Sequence, residues 1–199
     1  SIPLASDDML LDLGCGSGSI INCLVEKYGC QGIGIDLLEN HDFAGKNNKS
    51  VRYIKGDIDC LSDYNLNPTV ALSIDSLYFS NGFDNLLHTL CDLKSCKKYL
   101  FYSQYLFDKA TGDRSILHRD NTSVACSLKR YGIPYKVIDY SVNEQLLYEK
   151  SLTALEKLRQ DFINEGIIGL YESKLEETLL GKSLYDNGLA SRFLYIVSI

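Results

Sequence analysis

Nowhere in the 199 residues do 18 apolar residues run together, and no signal-peptide pattern is present. Neither a membrane-spanning helix nor secretion is therefore expected, and the chain reads as soluble and cytoplasmic. Clusters of lysine and arginine are also missing. Twenty basic residues stand against 26 acidic ones, a formal charge of −6, and the most basic short run is only the loose group Lys94, Lys97 and Lys98. Nucleic acid and anionic membranes are both met by clustered basic residues, so neither is expected as a partner; a small molecule is. The seven cysteines form an odd set without a Cys-x-x-Cys pair. They read as reduced thiols, several of them inside apolar runs where a free Cys behaves as a small hydrophobe, and no metal site is read. Internal repeats, low-complexity tracts and linkers are absent too, which leaves one domain over residues 1–199.

What is present is a dense glycine loop. "LLDLGCGSGS", residues 10 to 19, carries three glycines in five positions behind an apolar run that contains a single acid, Asp12. Ile20, Ile21, Leu24 and Val25 follow with helical spacing, so the segment reads as strand, loop and helix. Glycines allow positive φ and let a ligand approach the backbone, and the helix start offers N–H groups. A nucleotide-like ligand is expected there.

The alternation continues. "CQGIGIDLLEN" gives a second strand ending at Asp36, "SVRYIKGDIDCL" a third ending near Lys55, and "TVALSID" a fourth. "FDNLLHTLCDLK" is a helix, "KKYLFYSQY" a fifth strand, "TSVACSLKRYG" a helix closed by Gly132, "PYKVIDYS" a sixth strand and "SRFLYIVSI" a seventh. The class is α/β, with a seven-stranded, mostly parallel, doubly wound sheet. Between strands six and seven, residues 142 to 187 have helical pattern only. Leu147, Ala154, Leu155, Leu158 and Phe162 form one stripe, Gly166 and Gly169 interrupt, and Tyr171, Leu175, Thr178 and Leu179 form another. This reads as a helical hairpin inserted before the last strand.

The spacing of the glycines narrows the ligand. A dinucleotide fingerprint of the GxGxxG/A type would need Gly or Ala at position 19, where Ser19 stands, and no GxxxxGK[ST] occurs. The pattern is instead acid-x-Gly-x-Gly-x-Gly. With "LLDLGCGSG", "GIGID", "KGDIDCL" and "ALSIDSLYF" in that order, the chain resembles the class I, Rossmann-like, S-adenosylmethionine-dependent methyltransferases over Asp8 to about Ser141.

The resemblance implies S-adenosyl-L-methionine as cofactor and methyl transfer to a nitrogen or oxygen of a small molecule, by in-line displacement in which positioning supplies most of the catalysis. It implies that Asp36 accepts from the ribose hydroxyls, Asp57 from the adenine amino group with Ile58 on the ring, and that Asp12 and the loop amides meet the methionine end. Gly14, Cys15, Gly16, Gly18, Leu37 and Asp75 complete the expected cofactor site. Each acid has a plainer reading: Asp36 as a helix cap, Asp57 as a turn residue, Asp12 as a buried acid bonded only to loop amides. Near the transferred methyl the resemblance places Asp75, Ser76, Leu77, Tyr78 and Phe79. Asp75, Tyr78 and His118 are the catalytic candidates, His118 as a general base from the polar stretch "DRSILHRD". Tyr78, Tyr105, His118, Tyr148 and Tyr171 are the substrate-side candidates, with aromatic faces suited to an apolar or cationic substrate, and the hairpin is expected to act as a lid. His41 and His88 rank lower. The [DN]PP[YF] motif and a Pro-Cys pair are missing, which lowers exocyclic base amines, glutamine side chains and cytosine C5 as acceptors. Only about eight residues precede the first strand, where the family carries covering helices, so the chain is either a trimmed piece or covers the cofactor with its insertion. The alternative function is a non-catalytic protein of the same fold that binds a partner through the insertion.

Overall fold

Two short apolar segments, Met9–Leu13 (β1) and Val70–Ile74 (β4), lie side by side as parallel strands, with Leu10, Leu11 and Asp12 opposite Val70, Ala71 and Leu72. Both are almost continuously buried, as strands covered on both faces of a parallel sheet must be. In the computed structural model, residues 4–37 and 48–198 are described. His41 lies outside them.

Around this pair the chain forms a seven-stranded sheet of order β3-β2-β1-β4-β5-β7-β6, where β2 is Gln31–Asp36, β3 Val51–Lys55, β5 Lys98–Leu106, β6 Tyr135–Asp139 and β7 Ala190–Ser198. The pairings β1 to β2, β2 to β3, β1 to β4 and β4 to β5 are all parallel. The chain runs outward from β1 to β3, then returns to start again at β4 beside β1. That reversal opens a crevice at the carboxyl ends of the strands. Helices α1 (Ser19–Tyr28), α2 (Phe83–Asp92) and α3 (Ser123–Arg130) connect the strands, and Leu10, Ile21, Val25, Cys30, Val70 and Leu72 form a core cluster.

The face of α1 differs from the expected one. Ile20 is 44% exposed, whereas Asn22 is buried because its amide donates to the Gly18 carbonyl at 2.8 Å and to the Tyr53 hydroxyl. A polar residue thus takes a core position by having its bonds met.

The described chain divides into two compact units. The first holds the residues up to Ser103, Ser123–Val137 and the stretch from Leu194; the second holds Gln104–Thr122 and Ile138–Phe193. The second contains the helical hairpin, α4 (Ser141–Asn164) and α5 (Ile168–Asp186). Gly166, at φ +73°, makes the turn, while Gly169, expected to interrupt, sits inside α5. The stripes hold in part. Tyr171 and Thr178 are buried as expected, whereas Leu147, Leu158 and Leu179 are about half exposed and Gly181, Tyr185 and Glu144 are buried in addition. Glu144 can be buried because it accepts from the Arg192 guanidinium at 2.8 Å. Arg192 is itself 6% exposed.

Candidate active site

A cavity of about 470 Å³ opens in the first unit, lined among the described residues by Gly14, Gly16, Asp36, Leu37, Gly56, Asp57, Ile58, Asp75, Ser76 and Phe79. Each group of lining residues follows the carboxyl end of a different strand: β1, β2, β3 and β4. This is the position that the strand order predicts for a ligand, and the volume lies in the range of small-molecule sites.

The glycine loop is built from hydrogen bonds that the sequence does not announce. The Gly14 and Cys15 amides donate to the Ile35 carbonyl at 2.8 and 3.0 Å, and Gly18 to Cys15 at 2.9 Å. The Gly16 amide donates to Asp36 Oδ2 at 2.8 Å. Four loop amides are engaged within the protein, and three of them, those of Gly14, Cys15 and Gly16, fix the loop against β2. Gly14 and Gly16 then play different parts. Both have positive φ, +75° and +53°, but a Cβ on Gly14 would stand 2.3 Å from Ser76 Cβ, whereas one on Gly16 would meet nothing within 4 Å. Gly14 lets two loops pack together; Gly16 leaves the cavity open.

Beneath the loop lies a buried acid. Asp12 is 3% exposed, and burial, followed by the Asp36 carboxylate, pushes its pKa up to about 7. Burial and the same two acids push the Cys15 thiol up to about 12, so it is a neutral packing group. Asp12, Cys15 and Gly18 are not among the lining residues; Cys15 lies beside Gly34 and Gly18 against the Tyr53 ring.

On the β3 side, Asp57 does two things. It lines the cavity and caps the 3-10 turn Ile58–Tyr64 by accepting from the Asp59 amide at 2.9 Å. The turn reading and the site reading of this residue are therefore compatible. On the β4 side, Asp75 has φ +50°, a left-handed conformation that is strained for a residue with a side chain. Its amide donates to the Tyr102 carbonyl at 2.9 Å. Ser76 Oγ stands 2.5 Å from Ser73 Oγ and donates to the Leu13 carbonyl, tying β4 to β1. Tyr78 and Phe79 are 68% and 66% exposed and pack on each other, their centroids 4.4 Å apart.

A family model described as FtsJ-like methyltransferase matches residues 2–131, well over half of the 199. The chain belongs to the FtsJ-like methyltransferase family. No curated protein matches it. Among solved structures it is similar to a phosphoethanolamine N-methyltransferase of Haemonchus contortus, seen with phosphomonomethylethanolamine and S-adenosylhomocysteine: TM-score 0.80, 14% identity, 99% of this chain and 50% of that one. It is also similar to a cyclopropane synthase of Mycobacterium tuberculosis (TM-score 0.68, 13% identity, 98% and 79% coverage). A geranyl diphosphate methyltransferase seen with S-adenosylmethionine gives TM-score 0.64, 14% identity, 99% and 80% coverage. At such identities these likenesses establish the Rossmann-like fold. The chain spans half the length of the Haemonchus protein.

In this FtsJ-like methyltransferase the remaining candidates lie in the second unit. Tyr105 is buried with its ring 5.9 Å from Phe193. Tyr171 is buried edge-on to Phe162 at 5.6 Å. Tyr148 packs over Gly181, where a Cβ would stand 2.3 Å from the ring, and lies 5.9 Å from Tyr185. Both hairpin tyrosines are thus held by the hairpin's own packing. The side chain of His118 is 64% exposed; its Nδ1 accepts from the Asp120 amide at 3.3 Å and lies 3.7 Å from the Asp120 carboxylate. Among the described residues no helix is long and apolar enough to cross a membrane. The reading of the sequence missed Asp59, whose carboxylate accepts from Ser80 Oγ at 2.5 Å and from the Asn81 amide at 2.7 Å. The only signal was a second acid in "GDID", two residues after Asp57.

Proposed function

We propose that this chain binds S-adenosylmethionine in the cavity of its first unit and transfers the methyl group to a nitrogen or oxygen of a small molecule. The observation that carries the reading is the cavity itself: two carboxylates, Asp36 and Asp57, on one side, an open glycine at Gly16, and apolar Leu37, Ile58 and Phe79 around them. Adjacent ribose hydroxyls are donors and suit Asp36; the adenine amino group is a donor and suits Asp57, with Leu37, Ile58 and Phe79 against the ring. Asp12, outside the cavity lining, would meet the methionine end through water rather than directly. The cofactor supplies a sulfonium methyl with a good leaving group. The chain's part is to hold the acceptor in line, which is where most of the rate arises when leaving-group chemistry is easy.

Asp75 and Tyr78 are the acceptor-side residues in this proposal. Asp75 orients an amine or hydroxyl, and the exposed Tyr78 ring offers a face to an apolar or cationic group. The similar structures include phosphoethanolamine and geranyl diphosphate methyltransferases, which supports a small acceptor, and the charge of −6 supports leaving nucleic acid out. Calorimetric titration with S-adenosylmethionine, S-adenosylhomocysteine and NAD, followed by a screen of amines and phenols, tests the reading. Binding of the first two and not of NAD is expected; no binding of either would overturn it. A second reading, a partner-binding protein without turnover, is favoured by one observation: Val142, Leu146, Leu147, Leu179 and Leu180 on the hairpin are 47% to 68% exposed. Cofactor binding with no turnover of any acceptor would support that reading.

A further inference from the structure

Two walls of the cavity come from loops about twenty residues apart in sequence. Gly56, Asp57 and Ile58 follow β3; Asp75, Ser76 and Phe79 follow β4. One side chain joins them. Asp59, half-buried, receives the Ser80 hydroxyl on Oδ1 at 2.5 Å and the Asn81 amide on Oδ2 at 2.7 Å, while its own amide donates to Asp57 Oδ1 at 2.9 Å. Ser80 Oγ in turn accepts from the amide of Gly82 at 3.2 Å, the residue that precedes α2. Both oxygens of one carboxylate are therefore spent on the far wall, and the backbone of the same residue is spent on the near one.

The far wall is tied at its start, where Asp75 and Ser76 bond to Tyr102, Ser73 and Leu13. In the short turn Leu77–Phe79 only Leu77 is buried, and Tyr78 and Phe79 stand in solvent. Bonds to a carboxylate are charge-assisted, and Asp59 brings two of them from the β3 wall to the segment that carries these rings. Asp57 and Phe79 both line the cavity, so a ligand there touches both of the segments that Asp59 joins.

We propose that Asp59 is a clasp between the two walls: a positioning residue that fixes Phe79 and Tyr78 opposite Asp57 and so sets the affinity of the cavity for its adenosyl ligand. The assignment rests on the reading of the cavity given above, and its test separates the two. Asp59→Ala, Asp59→Asn, Ser80→Ala and the double variant are titrated with S-adenosylhomocysteine. Asp59→Ala is expected to weaken binding at least fivefold, with the melting temperature little changed. Ser80→Ala weakens binding in the native background but adds less than twofold once Asp59 is gone, since its hydroxyl acts through that carboxylate. Asp59→Asn, which keeps one acceptor oxygen, falls between and carries the test should the alanine variant fail to fold.

The absence of tryptophan supplies a readout that needs no ligand. Tyr78→Trp places one fluorophore on the far wall, and its anisotropy should drop when Asp59→Ala is added. Binding within twofold of the native protein in Asp59→Ala, or full additivity with Ser80→Ala, overturns the clasp. If the native protein binds no S-adenosylhomocysteine, the cofactor reading falls, and the clasp is then judged on anisotropy alone: an unchanged value overturns it and a drop upholds it.

Discussion

Replacing Gly14 and Gly16 by alanine, one at a time, separates folding from ligand binding within a single loop. Both glycines have positive φ, so either alanine accepts a left-handed conformation at a cost of about 1–2 kcal/mol. At Gly16 the account stops there, because the new methyl meets no atom within 4 Å. At Gly14 the methyl would stand 2.3 Å from Ser76 Cβ and 2.9 Å from its Oγ. Ser76 is 3% exposed and bonded to Leu13 and Ser73, so it cannot swing aside, and overpacking adds about 1–3 kcal/mol. Gly14→Ala should therefore lose about 2–5 kcal/mol and Gly16→Ala about 1–2. For a chain of this size 1 kcal/mol is roughly 2–4 °C of melting temperature. The binding order should invert per unit of stability lost. Gly16→Ala, whose methyl projects into open cavity, should bind S-adenosylhomocysteine at least tenfold more weakly, about 1.4 kcal/mol, while remaining folded at 25 °C. Urea denaturation and calorimetric titration of both variants check this. Equal stability of the two variants, or native affinity in Gly16→Ala, would refute the division of labour between the glycines.

Asp36→Ala should weaken S-adenosylhomocysteine binding by about 10- to 150-fold, the range for loss of a hydrogen bond to a charged group of about 1.5–3 kcal/mol; calorimetry that finds native affinity in a folded variant removes Asp36 from the site. Asp12, with its pKa raised from 3.8 to about 7, keeps its proton in the folded state where the unfolded chain has lost it. Stability should thus fall as pH rises from about 4 to about 7 and level off above, and Asp12→Asn should flatten that fall and melt higher at pH 8; parallel melting curves against pH for the two proteins would contradict the burial argument. Tyr171→Ala, which removes a buried ring from the hairpin, should cost about 3–5 kcal/mol in urea denaturation. Leu158→Ala, at a position 45% exposed, should cost under about 1 kcal/mol.

Legibility in the sequence followed the range of the interactions. β1 and β4 show as mostly apolar runs, each interrupted by one polar residue, because each is covered on both faces, and Asp36 and Asp57 show because the family pattern fixes acids at the ends of strands two and three. Interactions between distant residues left no such trace. Asn22 is buried because Tyr53, 31 positions away, receives its amide, and periodicity alone assigned that place to Ile20. The hairpin stripe was partly misplaced because Glu144 counts as polar until Arg192, 48 positions on, is seen to pair with it. Asp59 was passed over for the same reason: nothing near it in the chain indicates Ser80 or Asn81.

The ends of the hairpin meet at one residue. The Tyr140 amide donates to the Arg192 carbonyl at 2.8 Å, and the Arg192 amide to Ser141 Oγ at 3.0 Å, so the chain leaves for α4 and returns into β7 at the same place. A closed excursion of this kind is thermodynamically tolerant of length, since doubling it adds only about 0.6 kcal/mol of closure entropy. The hairpin is therefore an exchangeable cartridge: it can be shortened, extended or replaced while β6 and β7 keep their junction. Tethers to the rest of the chain limit the exchange: Tyr185 Oη accepts from Gln104 Nε2 at 3.2 Å, and Glu144 pairs with Arg192. Any graft that omits Glu144 leaves the Arg192 guanidinium buried without its carboxylate, at a cost of about 3–5 kcal/mol, so a transplanted insertion must either bring an acid to that position or be made together with Arg192→Met.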